Sequence, residues 1–278
     1  MIFFNDTELK RIMLDKSLKQ VSFNGSTVWK RGSVVTYYIN DTTYYQEEVD
    51  SDKTCLEPTT FTPTMDGWDF VGWREDTVPS GEILDSKVMD NDPVTLYAVF
   101  SQNVTLSYKV NGSTSTNTDE RYYNNGNIAD PAFTINNPSV SGATFNGWST
   151  NASSSDIAYS NISGLVLSTD LTVYAVVTYT DVTKSIDSGN GAAQSFTIYI
   201  DNTKYSKITL TSSSSNGMCS SRLYNSTGTL LLDCNANSGL TKSLTSFISD
   251  TYTVTATSNY DYASTTATIT LTGKTVVG

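Results

Sequence analysis

Residues 65–76 read MDGWDFVGWRED, and residues 140–151 read VSGATFNGWSTN. Both contain Gly-x-x-Phe-x-Gly-Trp, and Trp148 follows Trp73 by 75 residues. A strand-like tail closes each copy, TLYAVF and LTVYAVV, with Tyr97 lying 24 residues after Trp73 and Tyr174 26 residues after Trp148. A period of this length is too long for a solenoid unit and suits tandem, bead-like modules. Residues spaced by two from Phe70 share one face of a strand, and Gly72 lets the backbone bend so that Trp73 covers the core. Trp73 and Trp148 are therefore expected to be interior pillars before they are ligand contacts. Trp68 alternates out of phase with that set and stands between Asp66 and Asp69. It is expected to be exposed, and is a candidate contact for a glycan or a partner.

The rest of the chain supports an all-β, elongated molecule. Tyr, Thr, Ser, Asn and Val dominate, charged residues make up 16%, and turn residues punctuate the sequence at short intervals. A length of 278 residues suits two to four compact domains. Four segments are expected: a short β-meander at 1–32, repeated modules at 33–101 and 102–180, and a β-sandwich at 181–278. The net charge of -11 is unevenly spread. Residues 1–32 hold six basic and three acidic side chains, 33–101 hold three and fourteen, 102–180 come to -3, and 181–278 balance. Such an acidic middle repels a phosphate backbone, so nucleic acid is not an expected partner. No apolar run reaches the roughly 20 residues a membrane helix needs. MIFFNDTELKRIMLDKSLKQ lacks the apolar stretch and cleavage site of a secretory signal.

Within 1–32 a loose echo runs through IFFNDTELK, RIMLDKSLK and QVSFNGSTVWK, with Asn24-Gly25 as the strongest hairpin signal. FFNDTELKRI and VSFNGSTVWK resemble the opening segments of many structural proteins of phages and prophages of Gram-positive bacteria. That resemblance implies virion anchoring through this segment, with Lys10, Arg11, Lys19 and Trp29 as the anchoring residues and other virion proteins as partners. The two modules each open with a strand, VVTYYIN or VTLSYKV, and continue through a proline-bearing stretch, CLEPTTFTPT or IADPAFTINNP. The pattern Leu56-Glu57-Pro58, Gly67-Trp68-Asp69-Phe70-Val71-Gly72-Trp73 and Thr95-Leu96-Tyr97-Ala98-Val99-Phe100 resembles the internalin-type B repeat, also called the Listeria–Bacteroides repeat. The second copy keeps Pro131, Gly142, Phe145, Gly147, Trp148, Tyr174 and Ala175, but has Ala143 where the first has Trp68. The resemblance implies β-grasp-like modules used for extension or interaction in surface proteins. After the linker SIDSGNGAAQ come SFTIYI, KITLTS, SSRLYN, TLLLDC, TYTVTAT and TTATITLTG, all strand-like. SRLYNSTGTLLLD followed by SDTYTVTATSN resembles the bacterial pre-peptidase C-terminal type of β-sandwich.

Chemistry is harder to find. The chain has no histidine, so a Ser-His-Asp or Cys-His arrangement cannot form. Glu47-Glu48, Asp50-x-Asp52, Glu75-Asp76 and Asp90-x-Asp92 could act as paired acids across a glycan. All eight fall in one small module, however, and are expected to be solvated loop residues. Asp50-Ser51-Asp52 and Asp90-Asn91-Asp92 each begin like a calcium loop but lack the glycine and distant glutamate that would follow. SGNGAAQ lacks the lysine of a phosphate cradle. Neither metal nor cofactor is expected. Cys55, Cys219 and Cys234 show no zinc spacing. A two-residue turn at Ser226-Thr227 would set Cys219 opposite Cys234; a three-residue turn ending at Gly228 would set them on opposite faces. Free, buried thiols are expected. The binding candidate in the last segment is Tyr260, Asp261 and Tyr262, suited to stacking on sugar rings and bonding their hydroxyls. Tyr44-Tyr45 and Tyr122-Tyr123 are similar pairs.

The expectation is a non-enzymatic virion accessory protein: a head fibre, decoration protein or tail appendage present in symmetric multiple copies and touching host surface glycan. A bacterial cell-surface adhesion module and a carboxylate-based glycan hydrolase are its rivals.

Overall fold

Among the described residues every regular element is a β-strand, and Tyr, Thr, Val and Ile recur through most of them. The structure, a computed structural model, describes residues 20–23, 26–30, 33–49, 54–55, 62–84, 87–88, 92–189, 192–215, 218–237, 239–258 and 263–278. The all-β expectation holds. Two compact units divide the chain. One takes residues up to 104 with 118–131 and 166–169; the other takes 105–117, 132–165 and 170–278.

In the first unit, β1 (Gln20–Phe23) and β2 (Ser26–Lys30) form an antiparallel hairpin with Phe23 opposite Ser26, as the Asn24-Gly25 signal requires. Trp29 sits in β2 opposite Val21. Lys10, Arg11, Lys19 and the first part of the expected meander lie outside the described residues. Then come β3 (Ser33–Ile39), β4 (Thr42–Val49), β5 (Thr54–Cys55), β6 (Asp69–Arg74), β7 (Lys87–Val88) and the first part of β8 (Val94–Val110). The main sheet runs β4-β3-β8-β6: β3 is antiparallel to β4 and parallel to β8, and β6 is antiparallel to β8. β5 pairs with β7 alone. The core gathers Val35, Tyr37, Trp73, Leu96, Ala98 and Phe100.

The same plan recurs. β9 (Ser113–Asn124) follows β8 across Asn111-Gly112, whose φ of 49° and 80° suit a two-residue hairpin turn. After β10 (Asn127–Ala129) and β11 (Ala132–Ile135) come β12 (Ala143–Ser149), β13 (Ile162–Val166) and β14 (Leu171–Tyr179). The order is now β9-β8-β14-β12, with β14 parallel to β8 and antiparallel to β12. The second copy thus repeats the four-strand sheet of the first, and adds β10, which pairs antiparallel with β9, Ile128 opposite Tyr123. The boundary expected between residues 101 and 102 falls inside β8, a single 17-residue strand that closes one copy and opens the next.

The rest of the second unit is a sandwich built from β15 (Val182–Asp187), β16 (Gln194–Ile200), β17 (Tyr205–Ser214), β18 (Met218–Tyr224), β19 (Leu230–Asn237), β20 (Leu240–Leu244), β21 (Asp250–Ser258) and β22 (Thr265–Gly273). Its sheets run β15-β22-β17-β20 and β16-β21-β18-β19. Between them lie Ile198, Ile200, Ile208, Leu210, Leu223, Tyr252, Val254, Ile269 and Leu271. All six strands read from the sequence are present. The expected linker from Ser185 to Gln194 is corrected: Ser185, Ile186 and Asp187 belong to β15, because Val182 and Ile186 pack against the core. A last strand, β23 (Thr275–Val277), leaves the sandwich and pairs with β14, Val277 opposite Val176.

Candidate functional site

Phe70 and Trp73 are three residues apart, so strict alternation would place them on opposite faces. The structure resolves this with a bulge. Phe70 pairs with Phe100 but Gly72 with Val99, so Val71 is the extra residue and Trp73 returns to the core side opposite Ala98. In the second copy Phe145 pairs with Val177, Gly147 with Val176 and Trp148 with Ala175, with Asn146 bulged. Gly72 and Gly147 take φ of 156° and 147°. A Cβ on Gly72 would sit 2.2 Å from Ile83 Cγ2; one on Gly147 would meet Ile157 Cγ2 at 2.6 Å and the Tyr159 carbonyl oxygen at 2.8 Å. Each glycine therefore makes room for the loop that folds back over the bulge. That loop is fastened by Leu84 N–H to Trp73 O (3.0 Å) and by Ala158 N–H to Trp148 O (2.8 Å).

The rings are engaged alike. Phe70 meets Trp73 edge-on at 5.4 Å, as Phe145 meets Trp148 at 5.3 Å. Tyr37 and Tyr108, from the opening strands, approach the same indoles in T-shaped contacts at 4.9 and 6.1 Å. Trp73 is 2% exposed and Trp148 0%, so the expectation of interior pillars holds. Neither indole N–H meets an acceptor among the described residues. What each ring contributes is burial.

Residues 34–99 and residues 105–176 each match the profile of the family described as the Listeria-Bacteroides repeat domain. Two Listeria-Bacteroides repeats are found in this chain. The repeat is of a surface and adhesion type, typical of surface-exposed proteins. A search of the curated proteins finds no match to the chain.

Trp68, in the first repeat, is not the exposed ring the sequence suggested. It is half-buried and packs on the core edge. Its turn closes through Trp68 N–H to Met65 O (3.0 Å), with Gly67 at φ 75°. Tyr123 lies 5.8 Å from the ring and the Arg121 guanidinium 5.1 Å above it. Arg121, 13% exposed, donates through Nε to Asp130 Oδ1 (2.9 Å) and through Nη1 to Ser168 O (2.8 Å). The sequence reading missed Arg121, because the cation comes from a strand more than fifty residues downstream. Tyr122 donates to Glu120, which also accepts from Ser101 Oγ (3.2 Å). That hydrogen bond, and burial after it, pushes the Tyr122 phenol above its ordinary range. The Tyr122-Tyr123 pair is thus absorbed by structural contacts.

Asn124, fully buried, donates to Asp76 O (2.9 Å) and Val78 O (3.0 Å), and Asn127 donates to Thr77 O (2.9 Å). These amides lace the β9–β10 turn to the loop after β6. Among the paired carboxylates, Glu47 accepts from the Tyr37 hydroxyl (2.6 Å), Glu75 meets Lys87 (2.8 Å), and Asp76 accepts from Arg74 Nε (2.8 Å) and Nη2 (3.0 Å). The Arg74 hydrogen bond holds the Asp76 carboxyl below its ordinary value. Asp50, Asp52 and Asp90 lie outside the described residues, as do Tyr260, Asp261 and Tyr262.

The two sandwich cysteines form no disulfide and are buried, as expected. The turn is the three-residue one ending at Gly228 (φ 80°), with Asn225 N–H donating to Thr229 O (3.1 Å). The opposite-face placement expected with it is undone by a bulge at Leu231. Residues 225–229 join β18 to β19, and Leu223 pairs with Leu232 while Tyr224 pairs with Leu230. Cys219 therefore faces Ala236, and Cys234 faces Ser221. The two residues share a face but stand on a diagonal, where backbones are about 7–8 Å apart, at or beyond the Cα separation a disulfide spans. Burial pushes the Cys234 thiol up, which keeps it protonated and inert. On the outer face of β15-β22-β17-β20, hydroxyls pair across strands: Ser185 with Thr268 (2.8 Å), Thr211 with Thr241 (3.0 Å), and Thr209 with Ser243 (3.1 Å). The alternating threonines of TTATITLTG were the visible signal for this ladder.

Proposed function

We propose that this is a non-catalytic, surface-displayed structural and adhesion protein in which the repeats are scaffold and the terminal segments make the contacts. The observation that carries the reading is the burial of both motif tryptophans, each boxed in by a phenylalanine and a tyrosine. Residues spent on a core do not line a cleft. The setting is the exposed surface of a phage particle, in symmetric multiple copies, with the basic segment around Lys10, Arg11, Lys19 and Trp29 held by other virion proteins. Tyr260, Asp261 and Tyr262 face host surface glycan. The support for this finer setting is the resemblance carried by FFNDTELKRI and VSFNGSTVWK.

The repeat type itself favours a second reading, an adhesion module on a bacterial cell surface. Gold-labelled antibody to residues 181–278 separates the two: label on particles, at vertices, lattice or tail, supports the virion role, whereas label on uninfected cells supports the rival. New reducing ends after incubation with wall polysaccharide would instead establish a hydrolase and end the non-catalytic reading.

A further inference from the structure

Four strands end the sheets of the sandwich: β15 and β20 in one, β16 and β19 in the other. An edge strand presents unpaired backbone N–H and C=O groups that invite another strand, so edges are normally blunted. Three of these are. β15 sets Lys184 at the core-facing position between Val182 and Ile186, and β20 sets Lys242 likewise between Leu240 and Leu244. An incoming strand would have to bury that ammonium. β19 carries Asp233, 3.4 Å from Arg222, and its ladder slips a residue between Leu232 and Leu230.

β16 has none of these guards. QSFTIYI holds no charge, proline or glycine, and its register with β21 is unbroken from Gln194 opposite Ala256 to Ile200 opposite Asp250. Among the described residues no strand pairs with its other side. Tyr199 is 64% exposed. Beside β16 a groove of about 300 Å³ opens between the two sheet edges, lined by Lys184, Ser185, Ile186, Phe196 and Thr197. Ile186 and Phe196 are there the half-covered rim of the core.

We propose that β16 pairs antiparallel with the β16 of a second copy of this chain, across a two-fold axis at Thr197. The sequence is self-complementary about that residue. Phe196 then meets Ile198 of the second copy on the core side, Ser195 meets Tyr199 on the outer side, and Thr197 meets itself. A two-fold axis makes any residue on it face its own kind, which a charge there would forbid. Here the residue is an exposed, uncharged threonine. The pairing extends a four-stranded sheet to eight and covers the Phe196 rim. It gives the multicopy reading above a defined surface, and holds for either setting.

The test is sedimentation of the full chain across a concentration series. The wild type dimerises. Thr197→Lys weakens the dimer at least about tenfold, since like charges then stand opposite each other. Mixing Thr197→Lys with Thr197→Glu restores it, while each alone stays weakened. An unchanged thermal melt reports that the variants fold. Should a charged variant melt early, Thr197→Cys replaces it, and oxidation with a copper catalyst links two chains through residue 197. A wild type that is monomeric throughout, a lysine variant that dimerises as tightly as wild type, or a cysteine variant that stays unlinked overturns the proposal. Failure of the antibody labelling leaves all these readouts unmoved, so the two readings fail separately.

Discussion

Set side by side, the two repeats agree around the motif tryptophan and differ beyond it. Both bulge at the residue before the second glycine, both bring a phenylalanine to the tryptophan in nearly the same geometry, and both add a tyrosine edge-on, closer in the first copy than in the second. Beyond that shared centre, the first copy has Trp68 under Arg121, and Arg74 forked onto Asp76. At the matching places the second has Ala143, and Ser149, whose hydroxyl trades hydrogen bonds with the backbone of Asn151 (3.1 Å each way). Packing fixes the core of a repeat, whereas its rim is free to take on charge or lose it. Most of the net charge accordingly sits in the first copy.

The strongest test of that equivalence removes the shared centre. Trp73→Ala and Trp148→Ala should each cost about 3–5 kcal/mol in urea unfolding, the usual range for a buried tryptophan. Hydrogen exchange read on peptides from each repeat should place each loss in its own copy. A copy that tolerates the change is not built around its tryptophan.

The glycines come next, and here the copies should part. Gly72→Ala and Gly147→Ala should each lose about 1–3 kcal/mol from the forced backbone conformation. Gly72 is crowded by the Ile83 side chain alone, whereas Gly147 also faces a backbone oxygen. Adding Ile83→Ala should therefore recover part of the first loss, while Ile157→Ala should recover little of the second. Equal recovery in thermal melts would refute the distinction.

A smaller effect belongs to the rim. Trp68→Ala should cost about 1–2 kcal/mol for its half-buried ring, and a double-mutant cycle with Arg121→Gln should show coupling of about 0.5–1 kcal/mol. Ala143→Trp, with no such cation described above it, should bring no matching gain.

Acid should distinguish the copies least. The Asp76 carboxyl is held below its ordinary value in the folded chain, so its contribution is complete above the ordinary carboxylate range and is lost as pH falls through the depressed value. Ser149 cannot titrate. Exchange protection around residues 74–82 should fall on acidification before that around residues 149–158, and Arg74→Gln should abolish the difference. The Asp76 carboxylate is exposed, so the effect is small.

Much of this was legible in the residues. Alternating β-branched and aromatic positions announced the strands, and the spacing of Phe, Gly and Trp announced a duplicated core. What escaped was set by partners distant in sequence. Trp68 looked exposed because Asp66 and Asp69 flank it, while Arg121 and Tyr123 arrive from another strand. The cysteine offset depends on a slip between Leu232 and Leu230 that no local propensity predicts. β23 is three residues long and exists only because β14 offers it an edge. The second half of β15, Ser185 to Asp187, reads as linker because its polar residues face out and only Ile186 reaches inward.

Since β8 belongs to both copies, the segment that could be traded between proteins by recombination is not the segment that folds. A crossover placed at residue 101 would leave one module with a severed ribbon and give its neighbour a truncated beginning. Crossovers at matching points within β8 and β14 would preserve both. Length in such a lineage would then grow by splicing one strand into another, with loops left free to drift.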